Sequence, residues 1–154
     1  MDKITADWLA RRIKIISTEI KETGLGDIDK LADSFKFENR RVSNPKECPP
    51  FYKSGEFCHD GNGEEKYCLL CSCNHYNNSK DEGGCRVGNP FATGKPLDRF
   101  EYGKPEIWDC GNCFYPHTKI ATQRFLRYVK RKTYWKNDLE RVLGKMFGLV
   151  DEKV

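Results

Sequence analysis

All eight cysteines of this 154-residue chain fall in one window: Cys48, Cys58, Cys68, Cys71, Cys73, Cys85, Cys110 and Cys113. The same window is crowded with Gly, Pro and Asn and has few aliphatic residues. Such a stretch buries too little apolar surface to offset the entropy of ordering its own backbone. The sequence therefore predicts that the thiols hold this region, through metal, and that it unfolds when the metal is withdrawn.

The flanks support an intracellular setting for that chemistry. Met1 to Ile16 carries charges at Asp2, Lys3, Asp7, Arg11, Arg12 and Lys14, and no apolar run in the chain has the length of a signal peptide or a membrane span. The expectation is a cytoplasmic protein with no membrane partner, a compartment in which clustered cysteines bind metal or do redox work more often than they form disulfides. The competing reading is a secreted disulfide scaffold. It has the even cysteine count and the sequon Asn77-Asn78-Ser79 in its favour.

Along the chain, Leu9, Ile13, Ile16 and Ile20 recur at three and four residues and, with Trp8, predict a helix over 6–22 that Gly24 and Gly26 stop. Ile28, Leu31, Ala32 and Phe35 predict a second, shorter helix behind Asp27. Residues 35–42 alternate weakly and read as extended, ending at Asn44-Pro45. Pro49-Pro50, Gly61-Asn62-Gly63 and Gly83-Gly84 punctuate the cysteine window, so loops and short strands are expected there, with 89–105 as a surface excursion. Thr118 is placed to cap a helix over 118–132, and Asn137 with Glu140 to cap a last one whose apolar face is Leu139, Val142, Leu143, Met146 and Phe147. The predicted architecture is a small metal-stabilised, loop-rich, zinc-finger-like domain with short strands (37–117), flanked by an N-terminal (1–36) and a C-terminal (118–154) α-helical segment. A mean hydropathy of −0.76 fits that picture better than a single oily core.

Cys68-Leu69-Leu70-Cys71 and Cys110-Gly111-Asn112-Cys113 are two Cys-x-x-Cys pairs. Such a turn points two sulfurs at one centre, and two of them make an all-thiolate site suited to zinc or an iron–sulfur cluster. Cys71 and Cys73, two apart, face opposite ways in an extended chain and serve different centres. The division that follows is Cys68, Cys71, Cys110 and Cys113 in one site, and Cys48, Cys58, Cys73 and Cys85 in a second. His59 or His117 is able to replace a sulfur. The cofactor is read as zinc, two ions, with an iron–sulfur cluster as the alternative. His75 reads as a polar loop residue. Phosphate-binding glycine loops, paired catalytic carboxylates and Ser–His–Asp signatures are absent from the sequence.

The net charge of +4 hides an asymmetry. Seven of the 27 Lys and Arg residues, and no Asp or Glu, lie between Thr118 and Asn137, so the remainder is net acidic. Arg124, Arg127, Lys130, Arg131 and Lys132, with Lys119 and Lys136, are the candidate nucleic-acid contacts, and Tyr128, Tyr134 and Trp135 are available for stacking. The cations read as spread around the helix, and the acidic remainder repels a polyanion. A solvated or protein-docking face is therefore expected ahead of a nucleic-acid one.

The run Tyr67-Cys68-Leu69-Leu70-Cys71-Ser72-Cys73, the pair Cys58-His59 and the string Asp109-Cys110-Gly111-Asn112-Cys113 with Pro116-His117 resemble the cysteine-rich small domain, a zinc-finger-like family of methanogenic archaea and anaerobic bacteria. The similarity runs from Phe37-Glu38-Asn39-Arg40 to about Tyr128. The chain differs in having Asn74 where the family has Pro, and Arg86-Val87 where it has Gly-Gly after Cys85. In some members this domain is attached to a cobalamin-pathway enzyme of the aminotransferase-like class. The resemblance implies a metal-binding accessory or interaction module with a protein partner beside an anaerobic enzyme. The alternatives are a nucleic-acid-binding zinc protein and a small metal-dependent redox enzyme.

Overall fold

The computed structural model describes residues 3–57, 65–71, 96–99, 104–108, 113–133 and 139–149. Helix α1 (Lys3–Thr23) is the longest element, and its predicted stripe is real: Leu9, Ile13, Ile16 and Ile20 are all buried, whereas Trp8 stays exposed. Gly24 ends the helix at φ 82°, a conformation open to glycine. Helix α2 (Ile28–Ser34) starts where Asp27 accepts the Lys30 N–H at 3.0 Å, and it buries Leu31 and Ala32.

The stretch read as extended is instead helix α3 (Phe37–Ser43). Phe37 and Arg40, three apart, are its two buried residues. The inward position of Arg40 is occupied by a charge, so the apolar periodicity of a helix is invisible in the sequence. Helix α4 (Pro49–Ser54) follows inside the cysteine window. Prolines suit its first turn, and Gly55 closes it at φ 76° with a Cβ position only 2.7 Å from the Arg41 guanidinium. Strands β1 (Pro96–Arg99) and β2 (Lys104–Trp108) form an antiparallel pair with Leu97 in register with Ile107, so the predicted surface excursion contains paired strands. A 3-10 turn (Tyr115–His117) leads into helix α5 (Lys119–Thr133), capped by the Thr118 hydroxyl, which accepts the Ala121 N–H at 3.2 Å. Helix α6 (Leu139–Met146) is last. Its expected cap, Asn137, lies outside the described residues.

The hydrophobic core corrects the predicted fold class. The described residues form a dominantly helical body around one conventional core. Leu9, Ile13, Ile16 and Ile20 of α1 meet Leu31, Ala32 and Phe35 at α2, Ala121, Phe125, Leu126 and Val129 of α5, and Leu139, Leu143 and Phe147 at α6. The helices are thus the body of the fold, and the expected metal-stabilised zinc-finger-like domain with helical flanks is not what the chain builds. Among the described residues, no three His, Cys, Asp or Glu side chains stand close enough together to hold an ion. The physical reason is that Tyr67, Leu69 and Leu70, from the middle of the cysteine window, are buried in the same core. The apolar support that the window lacks locally is lent to it by helices far away in sequence. Among the described residues no helix is long and apolar enough to cross a membrane.

Candidate metal centre

Segment 65–71 carries the first Cys-x-x-Cys pair, and the fold grips it from three sides. On one side, the Phe37 N–H donates to the Lys66 carbonyl and the Cys68 N–H to the Phe35 carbonyl, both at 2.8 Å, an antiparallel bridge between Lys36 and Tyr67. On the other, the Tyr67 N–H donates to the His117 carbonyl at 2.9 Å, and His117 Nδ1 donates back to the Tyr67 carbonyl at 3.0 Å. From α1, the Arg12 guanidinium donates to the Cys68 carbonyl at 2.7 Å and reaches the Leu69 carbonyl at 3.4 Å. The two residues between the cysteines are core side chains, so burying Leu69 and Leu70 aims the turn.

The thiols at this turn differ in character. Cys68 is buried and Cys71 exposed, and their side chains are hydrogen-bonded to each other. The Cys68 hydrogen bond draws the Cys71 thiol down to about 6, helped by the positive charges of Arg12 and Arg40. Cys68 is pushed up, first by serving as the donor to Cys71 and then by burial. Cys48, at the N-cap of α4, packs against the small cluster of Phe37, Tyr52 and Cys68. Burial and the neighbouring Cys71 push its thiol up. The Tyr52 hydroxyl shares a hydrogen bond with the Cys68 thiol, and burial followed by that thiol pushes Tyr52 up.

His117 is buried between Phe57, whose ring meets it edge-on at 5.1 Å, and Phe114 at 6.0 Å. Its Nδ1 proton is committed to the Tyr67 carbonyl, so in the neutral imidazole the lone pair is on Nε2. This is the tautomer a metal-ligating histidine adopts when a backbone carbonyl orients it. Cys113, four residues earlier, is buried as well. The reciprocal Tyr67–His117 bonds join the segment that follows the second Cys-x-x-Cys motif to the segment that carries the first.

Below the thiols lies an ionic chain that sequence reasoning missed. Arg12 pairs with Glu47, Glu47 with Arg40 at 2.7 Å, and Arg40 with Glu19 at 2.7 Å. The side chains of Arg12, Arg40 and Glu47 are 6%, 1% and 3% exposed, so this is an interior network. Arg40 also lies over the Phe35 ring at 5.2 Å. One signal was present in the sequence: Arg12 sits three residues after Leu9 and next to Ile13, a cation inside an apolar stripe. No comparable pattern marks Glu47, next to Cys48.

Of the predicted ligands, Cys48, Cys68, Cys71, Cys113 and His117 are described, and Cys58, His59, Cys73, Cys85 and Cys110 lie outside the described residues. Cys48, assigned to a second site, is near enough to Cys71 to feel its charge. Thiols and imidazole are the donor types zinc takes, but among the described residues no three of them converge on one point. The open polar groove lined by Lys14, Thr18, Glu22, Asn39, Ser43 and Glu140 includes no thiol.

Helix α5 turns Ala121, Thr122, Phe125, Leu126 and Val129 into the core. Arg124, Arg127, Lys130, Arg131 and Lys132 are all exposed, with Arg124, Arg127 and Arg131 on the side opposite the core. Comparison of the chain with protein-family models, curated proteins and solved structures gives no match.

Proposed function

We propose that this chain is a thiolate metal-binding accessory module. Cys68 and Cys71 would hold a metal ion as a pair, and since no three described side chains converge on one point the remaining ligands would come from cysteines outside the described residues, Cys110 first among them. The supporting observation is the Cys68-Leu69-Leu70-Cys71 turn itself, whose two thiols are hydrogen-bonded to each other and whose backbone the reciprocal Tyr67–His117 bonds tie to the fold. Arg12 and Arg40 favour the thiolate form that ligation needs. Zinc is the first choice of ion and an iron–sulfur cluster the second. A bound zinc would add rigidity to this corner of the fold, whereas a cluster would add electron transfer.

Purification without oxygen, followed by quantitation of zinc, iron and sulfide, tests the proposal. Zinc, or iron with equimolar sulfide, is expected at one or two ions per chain, and Cys71→Ser and Cys110→Ser are each expected to lower that content. A native protein free of metal, or one whose metal is unchanged by both substitutions, overturns it.

A further inference from the structure

The outer face of α5 is organised, and the organisation is visible only once the buried face is known. Arg124, Arg127 and Arg131 recur at three and four residues, so they form one ridge down the middle of the solvent side. That ridge is about 10 Å long at a rise of about 1.5 Å per residue. Lys130 flanks it on one side, and Tyr128 with Lys132 on the other. The helix contains no Asp or Glu. Among the described residues, the one carboxylate within ion-pair reach of its cations is Asp33, at 3.9 Å from Lys119. Arg124, Arg127, Lys130, Arg131 and Lys132 thus face outward with their charges unneutralised by described neighbours.

An aromatic ring stands among these cations. Tyr128 is 39% exposed, with the Arg131 guanidinium carbon 5.8 Å and the Lys132 ammonium 5.4 Å from its ring centre. Ile120, 58% exposed, lies on the same side one turn before Arg124. Charge alone would serve any polyanion. An exposed ring bracketed by cations also offers a flat face to a base while the cations take the neighbouring phosphates.

We propose that the exposed face of α5 binds single-stranded nucleic acid. Arg124, Arg127 and Arg131 contact the phosphates and Tyr128 stacks on a base. This inference does not rest on the metal reading, since none of these residues is a proposed ligand.

The test measures fluorescence anisotropy of a labelled 20-nucleotide oligouridylate with the full chain as purified, across a salt series. Sub-micromolar binding at about 0.15 M salt is expected, with a log–log salt slope of roughly −0.7 per phosphate engaged. The triple variant R124A/R127A/R131A should flatten that slope by about two units. The triple Arg→Lys variant, which keeps the charge, should retain the slope. Tyr128→Ala should weaken binding about tenfold without changing the slope. Metal content and circular dichroism of each sample show that the folded, loaded protein is being compared. Three results overturn the proposal: binding no tighter than micromolar, a slope indifferent to the alanine triple, or polyglutamate bound as tightly as the oligonucleotide with Tyr128→Ala silent. The last would assign the face to acidic peptides.

Discussion

Arg12 and Cys68, 56 positions apart, are joined by a buried hydrogen bond of 2.7 Å from guanidinium to carbonyl. The bond runs from the middle of α1 to the first cysteine of the thiol turn. It makes the long N-terminal helix part of the candidate centre. The same guanidinium pairs with Glu47, one residue before Cys48, so a single side chain links two of the thiol-bearing segments.

Removing that link should be costly. Arg12→Met leaves two carbonyls and part of Glu47 without their buried donor, and loss of about 3–5 kcal/mol of stability is expected in urea denaturation. Arg12→Met combined with Glu47→Met should cost less than the two single changes added together, because the second substitution removes the charge that the first strands. Simple additivity would mean that the pair is not coupled.

Leu69 lies inside a Cys-x-x-Cys motif, where spacer residues are commonly solvent-facing, yet it is fully buried. Leu69→Ala should destabilise the whole helical body by about 2–5 kcal/mol, as for any core leucine. A loss under about 0.5 kcal/mol would show that the motif does not dock on the core.

Chelation should leave the helices in place. The core of α1, α2, α5 and α6 contains no cysteine, so strong chelators under reducing conditions are expected to release metal with little change in far-ultraviolet circular dichroism. Amide protection should drop around Tyr67–Cys71 and Cys113–His117 and persist in α1. Global loss of helix on chelation would restore the metal-dependent fold that the sequence alone predicts.

In the metal-free protein Cys71 should be the thiol that reacts first. Its value near 6 lies below the ordinary 9.0, so its alkylation rate should reach half-maximum near pH 6, read by mass spectrometry of the Cys71 peptide. Arg12→Gln should move that midpoint upward. The sign for stability follows. A depressed thiol stabilises the fold fully above its unfolded value and loses that contribution as pH falls through 6, so stability should climb between about pH 6 and 9. Cys68, shifted the other way, contributes fully below 9.0 and loses its contribution above it.

What could be read in the sequence was whatever repeats locally. The stripe from Leu9 to Ile20, the start of α2 behind Asp27, the Thr118 cap and the apolar face of α6 follow from spacing and from one side chain beside one backbone, and the structure has them where the pattern put them. The pairing of Cys68 with Cys71 was legible for the same reason. Helix α3 was not legible, because the residue that faces inward beside Phe37 is Arg40, a charge whose burial depends on Glu19 and Glu47. A periodicity count scores that arginine as outside.

The sequence by itself determined helices α1, α2, α5 and α6 and the pairing of Cys68 with Cys71. The tertiary structure decided what supports them. Composition counts apolar residues within a window, and by that count the cysteine region cannot stand alone. Burial is a property of neighbours in space, and here Leu69 and Leu70 spend their apolar area against helices that begin some sixty residues before them or lie fifty after. Only that packing brings Tyr67 against His117 and Arg12 under Cys68. It also turns the arginines of α5 outward on a single face, because Phe125, Leu126 and Val129 take the inner one.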